Sequence, residues 1–271
     1  MKYQGRSRKT RNTRRADPLM QPRKIIYRWR GVKMFWGTGW LLAGLLGCWA
    51  GPRIYHRLIT RLPAVQGENW RQTLAEKKQE LSSRWQDSRP LILLAGDSQI
   101  EYGNWYELFA GAWAVRNCGL ARAKIADVTQ LVPAIGDQHP QMVVLMCGIN
   151  NLGANETPEA CLHDYEALLA AVRSRLQPES ILVLSVMPVR ESGMDRAGHQ
   201  CNLNVNQLNT RLEACCREHQ VLFLNVNSAV AGANGGLAGE LTVDGLHLNP
   251  AGYRRLAAAI APQLTQSART P

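Results

Sequence analysis

The sequence predicts a three-layer α/β/α fold built on a parallel sheet of five strands, and two observations predict it. From residue 90 onward, short apolar runs alternate with longer segments whose apolar residues recur at helical spacing. Such alternation calls for crossover helices on both faces of a parallel sheet. Several of the apolar runs also end in glycine or small polar residues, at the carboxyl ends of strands, where ligands bind in open α/β sheets. A body of about 180 residues is ample for one core, and no internal repeat is apparent.

Leu91–Ala95, Ala114–Arg116, Met142–Cys147, Ile181–Met187 and Val221–Asn225 read as the five strands. Between them Ala126–Ile135, Pro158–Leu176 and Asn202–His219 read as helices, and Pro250–Gln263 closes the body. Trp70, Leu74, Leu81 and Trp85 recur at helical spacing and predict an amphipathic helix ahead of the first strand. Two long, glycine-containing loops, Pro188–Cys201 and Asn227–Thr242, are where specificity residues are expected.

Chemistry enters with Gly96-Asp97-Ser98, directly behind the first strand, and with Asp244-Gly245-Leu246-His247 near the far end of the chain. A serine hydroxyl is a poor nucleophile at neutral pH, so it needs a base within hydrogen-bond reach and a group that fixes the base's tautomer. An Asp three residues before a His can supply that group. Taken singly, each segment has a plainer reading: Gly-Asp-Ser as a strand-to-helix turn with an N-cap, and Asp-Gly as an ordinary turn. Two more segments, Val115-Arg116-Asn117-Cys118-Gly119-Leu120 and Gly148-Ile149-Asn150-Asn151, complete a joint pattern that the plain readings do not explain.

In order and spacing over residues 90–265, these four blocks resemble those of the SGNH hydrolases, the GDSL esterase/lipase superfamily. The third block and its surroundings are most similar to platelet-activating-factor acetylhydrolase-like esterases and carbohydrate acetylesterases. The resemblance implies a flavodoxin-like fold, Ser98 as nucleophile, His247 as base and Asp244 as its orienting group. It also implies an oxyanion hole made of the Ser98 and Gly119 N–H groups and the Asn150 amide, with no metal or organic cofactor. Asn151 stands where family members commonly have Asp. Arg122 replaces the second glycine of a Gly-x-x-Gly block, either as a cationic wall suited to an anionic or heavily hydroxylated substrate or as an innocent surface residue. Trp105 is either a sugar-stacking wall or a core residue.

The N-terminal quarter differs from the rest. Residues 1–33 carry twelve Lys or Arg against Asp17 alone, a local net of +11 that equals the net charge of the whole chain. They read as a disordered basic tail drawn to anionic headgroups; nucleic-acid binding is the rival reading, unsupported by aromatic or fold signals. Met34–Pro52 is 19 residues without a charge, roughly 28 Å as a helix, and predicts a single membrane span rather than a buried core helix. Basic residues concentrated before the span place the N-terminus in the cytoplasm and the hydrolase body outside the inner membrane. Residues 53–89 then form a juxtamembrane and helical linker. Leu45-Leu46-Gly47-Cys48 also resembles a lipobox, which would give a lipid anchor instead.

Seven cysteines do not describe a disulfide framework, although Cys201 with Cys215 or Cys216 could bridge in an exported body. No Cys and His cluster has the spacing of a metal site. The sequence therefore leads to a membrane-anchored esterase acting on acyl, above all acetyl, esters of a cell-envelope or exported polysaccharide. Its partners would be an acylated carbohydrate or small ester substrate, the membrane and an envelope protein complex. A lysophospholipase or thioesterase, a polysaccharide O-acetyltransferase, and a catalytically silent glycan-binding or assembly subunit are the alternatives.

Overall fold

The computed structural model describes residues 66–83, 87–111, 113–136, 138–191 and 196–267. The basic tail, the apolar segment Met34–Pro52 and residues 53–65 and 84–86 of the linker, Trp85 among them, lie outside these residues. Among the described residues no helix is long and apolar enough to cross a membrane.

In chain order the elements are α1 (Gln66–Leu81), β1 (Leu91–Gly96), α2 (Ser98–Glu101), α3 (Trp105–Leu108), β2 (Ala114–Gly119), α4 (Ile125–Ile135) and β3 (Met142–Met146). There follow α5 (Ile149–Gly153), α6 (Pro158–Leu176), β4 (Ser180–Leu184), α7 (Arg196–Glu218), β5 (Leu222–Leu224), α8 (Asn227–Val230) and α9 (Pro250–Ser267). The five strands form one sheet in the order β2-β1-β3-β4-β5, every pairing parallel. The chain leaves β1 for one flank and returns to the other, so β1 and β3 border a switch point whose crevice lies outside their carboxyl ends.

Strand side chains alternate between two cores, as a period of two requires. Leu93, Ala95, Val143, Leu145 and Val183 pack with residues of α1, α4, α6 and α7. Ile92, Leu94, Val144, Met146, Leu182 and Leu184 pack with residues of α3, α8 and α9. All are buried, so the sheet is covered on both faces, as the near-continuous apolar runs predict.

At three of the boundaries that differ from the sequence reading, a nearby polar side chain serves the backbone. Strand β2 runs on to Gly119, paired with β1 as far as Gly96, and within it Arg116 is buried, its guanidinium donating to the carbonyls of Leu81 and Ser83 at 2.5 and 3.3 Å. Strand β4 stops at Leu184, although Val186 and Met187 stay buried. There the side chain of Asn209 bonds both the N–H and the carbonyl of Val186 at 2.8 Å, replacing ladder partners. Helix α7 begins at Arg196, which shortens the first expected loop. Asn202, expected to open that helix, lies inside it and clasps the N–H and carbonyl of Val189 at 2.8 and 2.9 Å.

Candidate active site

Gly96 ends β1 against the neighbouring strand so closely that a Cβ there would lie 2.0 Å from the Met146 carbonyl oxygen. The chain then turns, and Asp97 caps α2 by accepting from the Gln99 N–H at 3.0 Å. Ser98 is thereby fixed at the first position of α2, at the crevice, with 4% of its surface exposed. Burial pushes the Asp97 carboxyl up to about 7, against the backbone N–H groups of Gln99 and Gly148, which pull it down.

The histidine arrives from the loop before α9. Thr242 braces that loop, donating to the His247 carbonyl at 2.7 Å and accepting from the Gly245 N–H at 2.9 Å. Asp244 Oδ1 accepts from the N–H groups of Leu246 and His247 at 2.9 and 2.7 Å, and its Oδ2 lies 2.7 Å from His247 Nδ1. Partial burial raises the Asp244 carboxyl, but these hydrogen bonds outweigh it and hold the group below the ordinary carboxylate range. With Nδ1 committed to a carboxylate, Nε2 is left as the acceptor, and it lies 3.0 Å from Ser98 Oγ. Residues 149 positions apart thus form one hydroxyl-imidazole-carboxylate chain, along which a serine proton can pass to the ring.

Asn150, at the start of α5, donates from Nδ2 to the Ala123 carbonyl at 3.0 Å, which leaves the second hydrogen of its amide for another acceptor. Asn151 is buried; it accepts from the Ile125 N–H at 3.0 Å and donates to Glu156 at 2.5 Å, tying α5 to the start of α4.

Geometry bears on two of the expected roles, those of Gly119 and Trp105. The Gly119 N–H is already engaged, donating to Asn117 Oδ1 at 2.9 Å. Its missing side chain has a different use, since a Cβ there would lie 2.3 Å from the Glu101 N atom; Gly119 lets α2 approach β2. In the same loop Arg122 is exposed and adopts φ +70°, a left-handed conformation that suits the glycine it replaces. Its N–H meets no acceptor among the described residues. Trp105 is not a wall of the crevice. Only 1% of it is exposed, its Nε1 donates to the Ile100 carbonyl at 2.7 Å, and it packs on Phe109 and Tyr253. Tyr102 is instead the aromatic beside the site, 55% exposed with its ring centroid 5.3 Å from that of His247. Nothing in its sequence setting distinguished it from Trp105.

The six cysteines among the described residues are free thiols, Cys201, Cys215 and Cys216 included. A cleft of about 710 Å³ lined by Pro90, Leu91, Gln141 and Glu179 lies at the amino ends of the strands, the edge opposite Ser98.

The sequence profile of the GDSL-like Lipase/Acylhydrolase family matches residues 83–255. The chain belongs to this family. It is an ester hydrolase of the GDSL, or SGNH, type, which agrees with the four blocks and with their convergence at the crevice. Similar solved structures agree in fold. A Streptococcus pneumonia protein provisionally described as a platelet activating factor is 23% identical, with a TM-score of 0.64 over 75% of this chain and 100% of that one. A GDSL-like lipase from Bacteroides thetaiotaomicron is 18% identical, with a TM-score of 0.59 over 72% of this chain and 98% of that one. A carbohydrate acetylesterase family member from Sinorhizobium meliloti is 17% identical, with a TM-score of 0.53 over 66% of this chain and 98% of that one. A search of the curated proteins finds no significant match.

Proposed function

We propose that this GDSL hydrolase is a membrane-tethered serine esterase that removes acetyl groups from a cell-envelope or exported polysaccharide. The observation that carries the mechanism is the chain Asp244 Oδ2, His247 Nδ1, His247 Nε2, Ser98 Oγ, with contacts of 2.7 and 3.0 Å. Ser98 Oγ attacks the acyl carbonyl and gives its proton to Nε2. The tetrahedral intermediate collapses to acyl-Ser98 as Nε2 returns that proton to the departing sugar oxygen. Water, deprotonated by the same nitrogen, then releases the acid and restores Ser98. The negative oxygen of each intermediate is held by the Ser98 N–H, the Asn150 amide and the Arg122 N–H, which takes the place first expected of Gly119. One such donor contributes roughly 3 kcal/mol to the transition state. These steps need neither a metal nor an organic cofactor.

The acetyl preference rests on the resemblance of the blocks and on the acetylesterase among the similar structures. The tether rests on the uncharged segment Met34–Pro52 and the bases that precede it. The Arg122 side chain favours a substrate with anionic groups near the ester. The test is a p-nitrophenyl ester series from acetyl to long acyl, with the full chain and with Ser98→Ala. Acetyl-selective turnover lost in the variant is expected. A preference for long chains would point to a lysophospholipase, faster transfer to sugars than to water would point to an acetyltransferase, and no turnover at all would favour a silent binding subunit.

A further inference from the structure

Helices α6 and α7 meet along a seam of polar side chains remote from Ser98. On α7 and just past its end, Arg211, Cys215 and His219 follow one another at four-residue intervals and so share one stripe. On α6 Glu159, Glu166 and Arg173 recur every seven residues, also close to one stripe. The two outer rungs across the seam are closed: Arg211 pairs with Glu159, and Arg173 donates to the His219 carbonyl. At the middle rung stand a carboxylate, a thiol and an imidazole, those of Glu166, Cys215 and His219, each offering one ligand atom within 4.8 Å of the other two.

We propose that Glu166, Cys215 and His219 form a zinc site that clamps α6 to α7. In a tetrahedral zinc site, bonds of about 2.0 to 2.3 Å place ligand atoms roughly 3.3 to 3.8 Å apart, so closure needs movements of about 1 Å. Glu166 and His219 are exposed and free to make them, while Cys215 is buried, 4% exposed. One thiolate with one imidazole and one carboxylate selects zinc over magnesium or calcium, which take oxygen ligands. The fourth position is open to water or to His163, one turn before Glu166, whose Nδ1 lies 4.0 Å from Glu166 Oε2. The cation would also sit at the carboxyl end of α7, where the helix dipole favours positive charge. Cys215 and His219 lie one helical turn apart, whereas Glu166 lies 49 residues before Cys215, so the carboxylate is the ligand that local spacing does not show.

The test titrates the full-length, tag-free, chelator-stripped protein with cobalt(II) and follows its absorption spectrum. One equivalent is expected to give thiolate-to-cobalt charge transfer and tetrahedral ligand-field bands, both abolished by zinc, which should also raise the melting temperature. Cys215→Ser should lose the charge-transfer band. His219→Ala and Glu166→Ala, at exposed positions that tolerate truncation, should each weaken cobalt binding about tenfold or more. Absence of the band at stoichiometric cobalt would overturn the proposal, and so would its persistence in Cys215→Ser. Neither readout depends on ester hydrolysis.

Discussion

Gln99 Nε2 donates to the Leu246 carbonyl at 2.7 Å, a buried bond that joins the residue after the nucleophile to the residue before the histidine. The Tyr253 hydroxyl, from α9, donates to the Gln99 carbonyl at 3.0 Å, so the nucleophile's helix and the histidine's loop are held to a common support. Gln99 Oε1 is buried and unpartnered by protein, beside a cavity of about 10 Å³ lined also by Asp97 and Cys147, room for a single water. Gln99→Leu keeps the bulk and removes the bond. Since misplacements of about 1 Å can cost on the order of 100-fold in rate, kcat for p-nitrophenyl acetate should fall about 10- to 100-fold with KM little changed. Unchanged kcat in a folded variant would show that the bond is only structural.

Asp244→Asn keeps the shape of the histidine's partner but removes the charge that stabilises the imidazolium and favours the tautomer with a proton on Nδ1. Loss of such a carboxylate costs about 10⁴-fold in the well-studied serine protease triad; partial exposure of Asp244 argues for a smaller loss here, about 10²- to 10³-fold in kcat. Steady-state kinetics at several pH values would check it, and activity within threefold of wild type would contradict the assignment.

Asp97 makes stability depend on pH. Burial lifts its carboxyl from 3.8 to about 7, so between those values the folded protein holds a proton that the unfolded chain has released. Its contribution to stability therefore falls as pH rises through that window and is constant above it. Asp97→Asn removes the titration, and its stability relative to wild type should improve from pH 5 to pH 8, by on the order of a few kcal/mol. Denaturant unfolding at the two pH values measures this; a pH-independent difference would show that Asp97 is not the group responsible.

Much of this architecture is legible in the sequence because burial leaves a plain pattern. The five apolar runs become the five strands, and Pro158–Leu176 is a helix to the residue, opened by the Thr157 cap and a proline in its first turn. Ser98 stands out because it follows a strand end, and Asp244 and His247 because they lie three residues apart. What cannot be read is polar service to distant backbone. Arg116, Asn202 and Asn209 look like element ends or surface residues, yet each satisfies carbonyls or N–H groups far along the chain. Trp105 and Tyr102 lie three residues apart, and only the packing of α9 decides which is buried.

Arg122 tests the reading of the second block. With φ +70°, Arg122→Gly should raise stability by about 0.5 to 1 kcal/mol by relieving left-handed strain, while keeping the N–H and hence turnover of the neutral acetate ester. Esters bearing a carboxylate should lose affinity in the same variant. Thermal melting and KM for a neutral and an anionic acetyl ester check the two halves separately.

His247 makes Ser98 nucleophilic, and covalent capture reads that activation at the oxygen itself. The full-length protein would be incubated with a serine-directed phosphonate and the adduct located by peptide mass spectrometry, beside His247→Ala and Ser98→Ala. A single adduct on Ser98 is expected, formed at least about 100-fold more slowly without His247 and absent without Ser98. Labelling at another residue, or equal labelling rates with and without His247, would contradict it.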